Sequence, residues 1–256
     1  MGLTHQSCGA GVNKENFSQG DSKIDYVIAL AGNPNTGKST IFNCLTGLNQ
    51  HTGNWPGKTV MRAEGKYINQ GLVFRLIDLP GTYSLMANSV EEQVARDYLC
   101  FGQPDATVVV VDATCLERNL NLVLQVLEIT SKVVVCVNLI DEAERKKIKV
   151  DIDALAGELG VPVVATAARD GTGLETLADT ITAIATKSLP TNPCVVRYGE
   201  LIEAGIHELE KQIKLLLGEE ANARWLALRL LDDDQTVIAA LEKWLAEHEQ
   251  SRTRLG

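Results

Sequence analysis

Four runs in this chain, "YVIALA" (26–31), "TVVVVDA" (107–113), "KVVVCVN" (132–138) and "VPVVAT" (161–166), are apolar and β-branched almost without a break. A strand with one wet face alternates apolar and polar residues, whereas an unbroken run marks a strand buried on both faces, as in a parallel sheet covered by helices. Helical patterns near residues 38–46, 89–100, 117–129, 151–159 and 173–187 fall between and after these runs. Two more strands are expected at "VMRAEGKYI" (60–68) and "LVFRLID" (72–78). Such alternation predicts an α/β fold with a mostly parallel sheet and helices on both faces. The charges of "VMRAEGKYI" place that strand at the sheet's edge.

The alternation ends at "LPTNP" (189–193), where two prolines in five residues predict a linker. Three domains of unequal kind follow. Residues 1–23 are polar, glycine-rich and aperiodic and read as a flexible tail; His5 and Cys8 in it are spaced as H-x-x-C, too common a pattern to define a metal site. Residues 24–188 form the sheet domain. Residues 189–256 form a small all-α domain, in which Leu201, Ile202, Ile206, Leu209, Ile213 and Leu216 are expected on one apolar face of a first helix. That face is expected to bury itself internally or on the sheet domain, with docking to a partner as the alternative.

At the end of the first strand, "GNPNTGKS" fits G-x-x-x-x-G-K-[ST]. In this pattern Gly32 and Gly37 let backbone N–H groups turn inward around phosphates, Lys38 reaches the β and γ oxygens, and the Ser39 hydroxyl binds Mg²⁺. Asn33, Pro34, Asn35, Thr36 and Thr40 complete the loop and the start of its helix, whose dipole favours an anion. A nucleoside triphosphate site is expected here.

The base is read elsewhere. "NLID" places Asn138, Leu139 and Asp141 directly after a buried strand. The Asp141 carboxylate matches the two donors of guanine N1 and N2 and would meet a lone pair at adenine N1, so guanine is expected. "TAA", Thr166, Ala167 and Ala168, ends the next strand, where guanine O6 would meet a backbone N–H. "DLPG" supplies Asp78, a Mg²⁺ ligand through water, then Leu79, Pro80 and Gly81, whose N–H senses the γ-phosphate. A further Mg²⁺ ligand is expected from the mobile loop "NQHTGNWPGKTV", where Thr59, following Gly57 and Lys58, is preferred to Thr52. Lys38, Thr59 and Gly81 are thus the catalytic candidates this reading supplies.

Composition narrows the partners. The formal net charge of −9 argues against nucleic acid, and the region after residue 198 is rich in Glu and Asp. Six cysteines without a C-x-x-C pair, mostly inside apolar runs, suit a reducing compartment. No stretch reaches the ~18 apolar residues of a membrane span, so the chain as given is expected to be soluble.

The ordered set "GNPNTGKS", "GNWPGKT", "DLPG", "NLID" and "TAA" resembles the small translation-factor-like P-loop GTPases, whose fold is Ras-like. "HTGNWPGKTV", "DLPGTYSL" and "DATCLERNLNLVLQ" make residues 25–187 similar to the cytoplasmic G domain of the bacterial ferrous iron transport protein B family. The helices after Pro193 match that family's helical domain in placement and length. The resemblance implies a GTPase at the cytoplasmic face of the bacterial inner membrane, Mg²⁺-dependent and K⁺-stimulated, switching between GTP and GDP to regulate Fe²⁺ uptake. It further implies a membrane-embedded transport domain of the same polypeptide and leaves homo-oligomers open. Carried over, K⁺ would be held by Asn35 and the backbone carbonyls of Gly53 and Trp55, with Asn35 also readable as a residue that shapes the loop. Two departures stand out: Thr82 occupies the place of a catalytic glutamine, and Leu139 that of a lysine whose stem lies across the base. An assembly GTPase acting on ribosomes or tRNA shares the core motifs and is the alternative, disfavoured by the acidic helical region.

Overall fold

The computed structural model describes residues 23–47, 50–218 and 222–253. His5, Cys8 and the rest of the expected N-terminal tail before residue 23 lie outside them. Strands β1 (Tyr26–Gly32), β2 (Gln50–Asn54), β3 (Met61–Asn69), β4 (Leu72–Asp78), β5 (Ala106–Asp112), β6 (Val133–Asn138) and β7 (Val163–Ala165) form one sheet. Its order is β2-β3-β4-β1-β5-β6-β7. β4, β1, β5, β6 and β7 run parallel, and β2 and β3 are antiparallel additions at one end.

The helices of the sheet domain are α1 (Lys38–Thr46), α2 (Val90–Phe101), α3 (Leu116–Ile129), α4 (Ile140–Arg145), α5 (Ile152–Leu159) and α6 (Leu174–Ala185). Because β1, β5 and β6 are buried on both faces, their side chains feed two apolar clusters. Val109, Val111, Val135 and Val137 pack under α2 and α3; Ile28, Leu30, Val108, Val110 and Cys136 pack under α1 and α6. The alternation in register explains why these runs have no polar positions to spare.

α7 (Glu200–Leu217), α8 (Ala223–Leu231) and α9 (Gln235–Thr253) follow the linker. Ile206 and Ile213 of α7 and Trp225, Leu226 and Ala227 of α8 belong to the same apolar cluster as α2 and α3. Polar contacts cross the boundary too. Arg96 of α2, 2% exposed, donates to the Thr236 hydroxyl at 2.8 Å and pairs with its neighbour Asp97. The linker lies on the sheet domain: Asn192 N–H donates to the Gly160 carbonyl and Cys194 N–H to that of Leu159, both at 3.0 Å.

Two expectations need correction, and two further features were not read from the sequence. β3 is not the edge, because the polar segment 50–54, read as loop, pairs with it from Gln50 opposite Gly65 to Asn54 opposite Met61. The apolar face of α7 is shorter than its pattern: Leu201 is 91% and Leu216 71% exposed, since the partner helices cover only its middle. The cysteines are also less uniformly buried than their surroundings suggest, with Cys115 and Cys194 exposed. Finally, α4 adds a helix within the base-reading segment. No described helix is long and apolar enough to cross a membrane.

Candidate nucleotide site

Between β1 and its neighbour β5, at their carboxyl ends, the sheet order opens the crevice in which α/β proteins of this kind place ligands. The loop from Gly32 to Ser39 lies there. Two residues show why glycine is needed. A Cβ on Gly32 would come within 2.6 Å of the Val110 carbonyl oxygen, and one on Gly37, at φ +83°, would overlap Asn138 Nδ2. The loop is braced internally by Thr36 Oγ1, which donates to the Asn33 carbonyl at 2.9 Å. Asn35 takes the left-handed conformation at φ 67°, with its side chain exposed. The Asn33 carboxamide is 1% exposed and has no partner among the described residues.

Lys38 is the one cation buried in the loop. Its ammonium pairs with the Asp78 carboxylate and donates to the Leu79 carbonyl at 2.6 Å. Burial lifts the Asp78 carboxyl above its usual range, outweighing the pull of the ammonium. Gly81 lies against Pro34, and Thr82 N–H donates to the Gly32 carbonyl at 3.3 Å. "DLPG" is therefore fastened to the phosphate loop. The segment beyond it is held by α3, through Leu85 N–H on Gln125 Oε1 at 2.6 Å and the Arg118 guanidinium 4.4 Å from the centre of the Tyr83 ring.

Asn138, 1% exposed, joins the loops. Its Nδ2 donates to the Thr36 carbonyl at 2.9 Å, while Oδ1 accepts from Thr166 Oγ1 at 3.0 Å and from Ala168 N–H at 3.1 Å. Ala167 N–H turns instead to the Thr172 carbonyl at 3.1 Å. Leu139 is left-handed at φ 63°, which starts α4 and puts Asp141 in its first turn; there the Asp141 carboxylate accepts from Arg145 at 3.0 Å.

These elements enclose a cavity of about 250 Å³. Asn35, Gly37, Thr40, Asn138, Leu139 and Ala168 line it, and Asp112, Thr114, Glu142, Lys146 and Arg169, none of them among the expected site residues, join them. A larger cavity, about 450 Å³, lies between the α2 and α3 ends and α7 and α8 and shares no lining residue with this one.

The loop from 50 to 60 does not line the site. Gly53 sits on β2 opposite Arg62, and Gly57, Lys58 and Thr59 are exposed. Trp55 is 8% exposed, edge-on to Tyr98 at 5.3 Å and 5.1 Å from the Arg62 guanidinium. Its backbone N–H donates to the Val60 carbonyl at 2.9 Å, and its own carbonyl accepts from Lys58 N–H at 3.0 Å. Oxygen donors of the hard kind that Mg²⁺ takes, the exposed Ser39 hydroxyl and the Asp78 carboxylate, are present beside the phosphate loop. The donors expected for K⁺ are divided: Asn35 is at the cavity, and Gly53 and Trp55 are in the hairpin.

Two family models match: ferrous iron transport protein B over residues 26–181, and the FeoB cytosolic helical domain over residues 198–255. The Fe(2+) transporter FeoB of Salmonella choleraesuis is 41% identical over 213 residues, and that of Shigella flexneri 40%. Each match covers 81% of this chain but 27% of the relative, so the chain spans about a quarter of those proteins. Among solved structures, the cytosolic domain of T. maritima FeoB in apo form is 39% identical with a TM-score of 0.73, covering 85% of both chains. Its GDP form I is 37% identical with a TM-score of 0.74, over 86% of both. A GDP-bound variant of S. thermophilus NFeoB is 36% identical with a TM-score of 0.74, over 89% of this chain and 90% of that one. The order of the motifs, the crevice they line and the helical domain packed on α2 and α3 agree with these matches along nearly the whole chain: it belongs to the ferrous iron transport protein B family.

Proposed function

We propose that this chain binds guanine nucleotide in the crevice above β1, β5 and β6 and hydrolyses GTP with Mg²⁺ and K⁺. It does so as the cytosolic part of a ferrous iron transporter at the cytoplasmic face of the bacterial inner membrane. Its nucleotide state regulates Fe²⁺ passage through a membrane-embedded domain of the same polypeptide. One observation carries the reading: Asn138 ties the phosphate loop to the loop at Ala168, so the parts that hold phosphates and base form one rigid cradle.

The residues then divide the work. The inward N–H groups of Asn35 to Ser39 and the Lys38 ammonium hold the phosphates, and Lys38 exchanges its contact with Asp78 for the β and γ oxygens. Asp78 would then be free to hold Mg²⁺ through water, with Ser39 and Thr59 as its other ligands from the chain, and the ion would neutralise charge on the phosphates. Asp141 leaves Arg145 to accept from the base, and Gly81 N–H meets the γ-phosphate. Thr82, buried and held on Gly32, cannot swing to orient water as a glutamine would. Rate enhancement therefore rests on fixed positive charge near the transferring phosphoryl group, which K⁺ supplies when held by Asn35 and the Gly53 and Trp55 carbonyls. For those carbonyls to join Asn35, residues 53–59 leave the hairpin. The buried Trp55 Nε1, without a partner among the described residues, supports such a rearrangement.

Steady-state GTP hydrolysis by the wild type and Asn35→Ala in KCl, NaCl and CsCl tests this. Stimulation confined to K⁺ and lost in Asn35→Ala is expected; equal rates in all three salts would remove the cation from the mechanism. Competition by ATP as strong as by GTP would remove the guanine site itself.

A further inference from the structure

A buried carboxamide with no bond is costly, because it has given up water at both its donor and its acceptor. Asn33 is in that position: at 1% exposure, neither its Oδ1 nor its Nδ2 has a partner among the described residues. Ala29 and Ala31 of β1 belong to the apolar cluster under α2 and α3, and Asn33 is the next position of that alternation. Leu79 and Leu85 belong to the same cluster, so the segment after β4 crosses the same side of the sheet.

The two segments already meet on either side of Asn33. Thr82 N–H donates to the Gly32 carbonyl at 3.3 Å, and a Cβ on Gly81 would stand 3.4 Å from the Pro34 Cα. The pairing stops there. Among the described residues the peptide group between Thr82 and Tyr83 makes no hydrogen bond, through either the Thr82 carbonyl or the Tyr83 N–H. A carboxamide and a peptide group are complementary, since each offers an N–H and a carbonyl in one plane. Here both are unpaired, each one residue on from a bond that is itself long for N–H to oxygen.

We propose that Asn33 is a positioning residue for the segment that follows "DLPG": with the γ-phosphate bound, its Nδ2 donates to the Thr82 carbonyl and its Oδ1 accepts from Tyr83 N–H. This rests on the guanine-nucleotide reading above, in which Gly81 N–H meets the γ-phosphate and so draws residues 81–83 toward the phosphate loop. GDP has no γ-phosphate and leaves the carboxamide unpaired. The two bonds therefore form with the triphosphate alone, and Asn33 favours GTP over GDP while its side chain touches neither.

Amide hydrogen exchange of the whole chain tests this without any substitution. With Mg²⁺ and a non-hydrolysable GTP analogue, exchange at Tyr83 is expected to be about tenfold slower than with GDP, or slower still. Equal exchange in the two states would overturn the proposal. Calorimetry on Asn33→Leu, which keeps the branched shape, and on Asn33→Ala supplies the second readout. In both, the preference for the GTP analogue over GDP is expected to fall about five- to thirtyfold, with the protection of Tyr83 lost. An equal loss of affinity for both nucleotides would overturn it, leaving Asn33 a residue that only shapes the loop. Without nucleotide, at least one of the two variants is expected to melt no lower than the wild type, because no bond is lost; lower melting of both would show the carboxamide already bonded and overturn the proposal too. Failure of the guanine reading is separate: an ATP analogue would then bind the wild type as tightly as the GTP analogue, whatever the exchange at Tyr83.

Discussion

Asn138 and Thr36 are bonded across the crevice, carboxamide Nδ2 to backbone carbonyl at 2.9 Å, so the end of β6 fixes the shape of the phosphate loop before any nucleotide arrives. Removing the carboxamide leaves the Thr36 carbonyl and the Ala168 N–H unpaired in a buried place, and the Thr166 hydroxyl with only Cys136 Sγ at 3.2 Å. Asn138→Ala is expected to lower stability by about 2–4 kcal/mol. Urea unfolding of the nucleotide-free chain measures it, and loss of GDP binding in calorimetry is expected beyond the stability effect.

Gly37 has no room for a side chain. At φ +83° any L residue is strained, and its Cβ would displace the Asn138 amide. Gly37→Ala is expected to abolish GDP binding while the far-ultraviolet circular dichroism spectrum stays that of the wild type, since the damage is confined to the loop.

Trp55 reports on the loop that carries Thr59. It is buried against Tyr98 and Arg62 in the described state. If residues 53–59 move to the cavity, the indole becomes wetter. A red shift in tryptophan emission is expected with a non-hydrolysable GTP analogue in KCl, and no shift in Trp55→Phe, although Trp225 and Trp244 still emit.

Arg96 joins the helix that follows "DLPG" to the start of α9. Truncating this buried guanidinium deprives Asp97 of its partner and the Thr236 hydroxyl of one of its two, and Arg96→Ala is expected to cost about 2–3 kcal/mol. Thr236→Val removes the cross-boundary bond together with the hydroxyl's bond to Asp234 at 2.6 Å and is expected to cost about 1–2 kcal/mol. Chemical denaturation of both variants checks the ratio.

Within the helical region, two bonds from Arg224 and one from Tyr198 N–H push the Glu203 carboxyl down to about 2, against an ordinary 4.5. A depressed carboxyl stabilises the fold fully above its unfolded value and loses that contribution as pH falls through the folded one. The difference in melting temperature between wild type and Glu203→Gln is therefore expected to be constant above pH 4.5 and to shrink as pH falls toward 2.

What the sequence makes legible follows from what local chemistry dictates. The runs that became β1, β5 and β6 could only be doubly buried strands, and the glycines of "GNPNTGKS" could only serve a loop with no space for Cβ atoms. β2 was hidden because "QHTGN" has no strand propensity of its own; its pairing is imposed by β3 beside it. α4, six residues long, is too short to display a period. Asn138 was legible as part of a base-reading motif, yet its bridge to Thr36 depends on two distant segments meeting. Arg169 and Lys146 reach the cavity only through the topology, so no spacing along the chain announces them.

The apolar cluster under α2 and α3 continues into α7 and α8 beside the cavity of about 450 Å³. A hinge would require a wet or weakly packed layer between the parts, and here valines of the sheet and Trp225 belong to a single interior. Heating is expected to produce one melting event for the whole chain. Any displacement of α2 on nucleotide exchange is then expected to carry the C-terminal helices with it, because the shared apolar cluster and the bond from Arg96 to Thr236 join them beside that cavity.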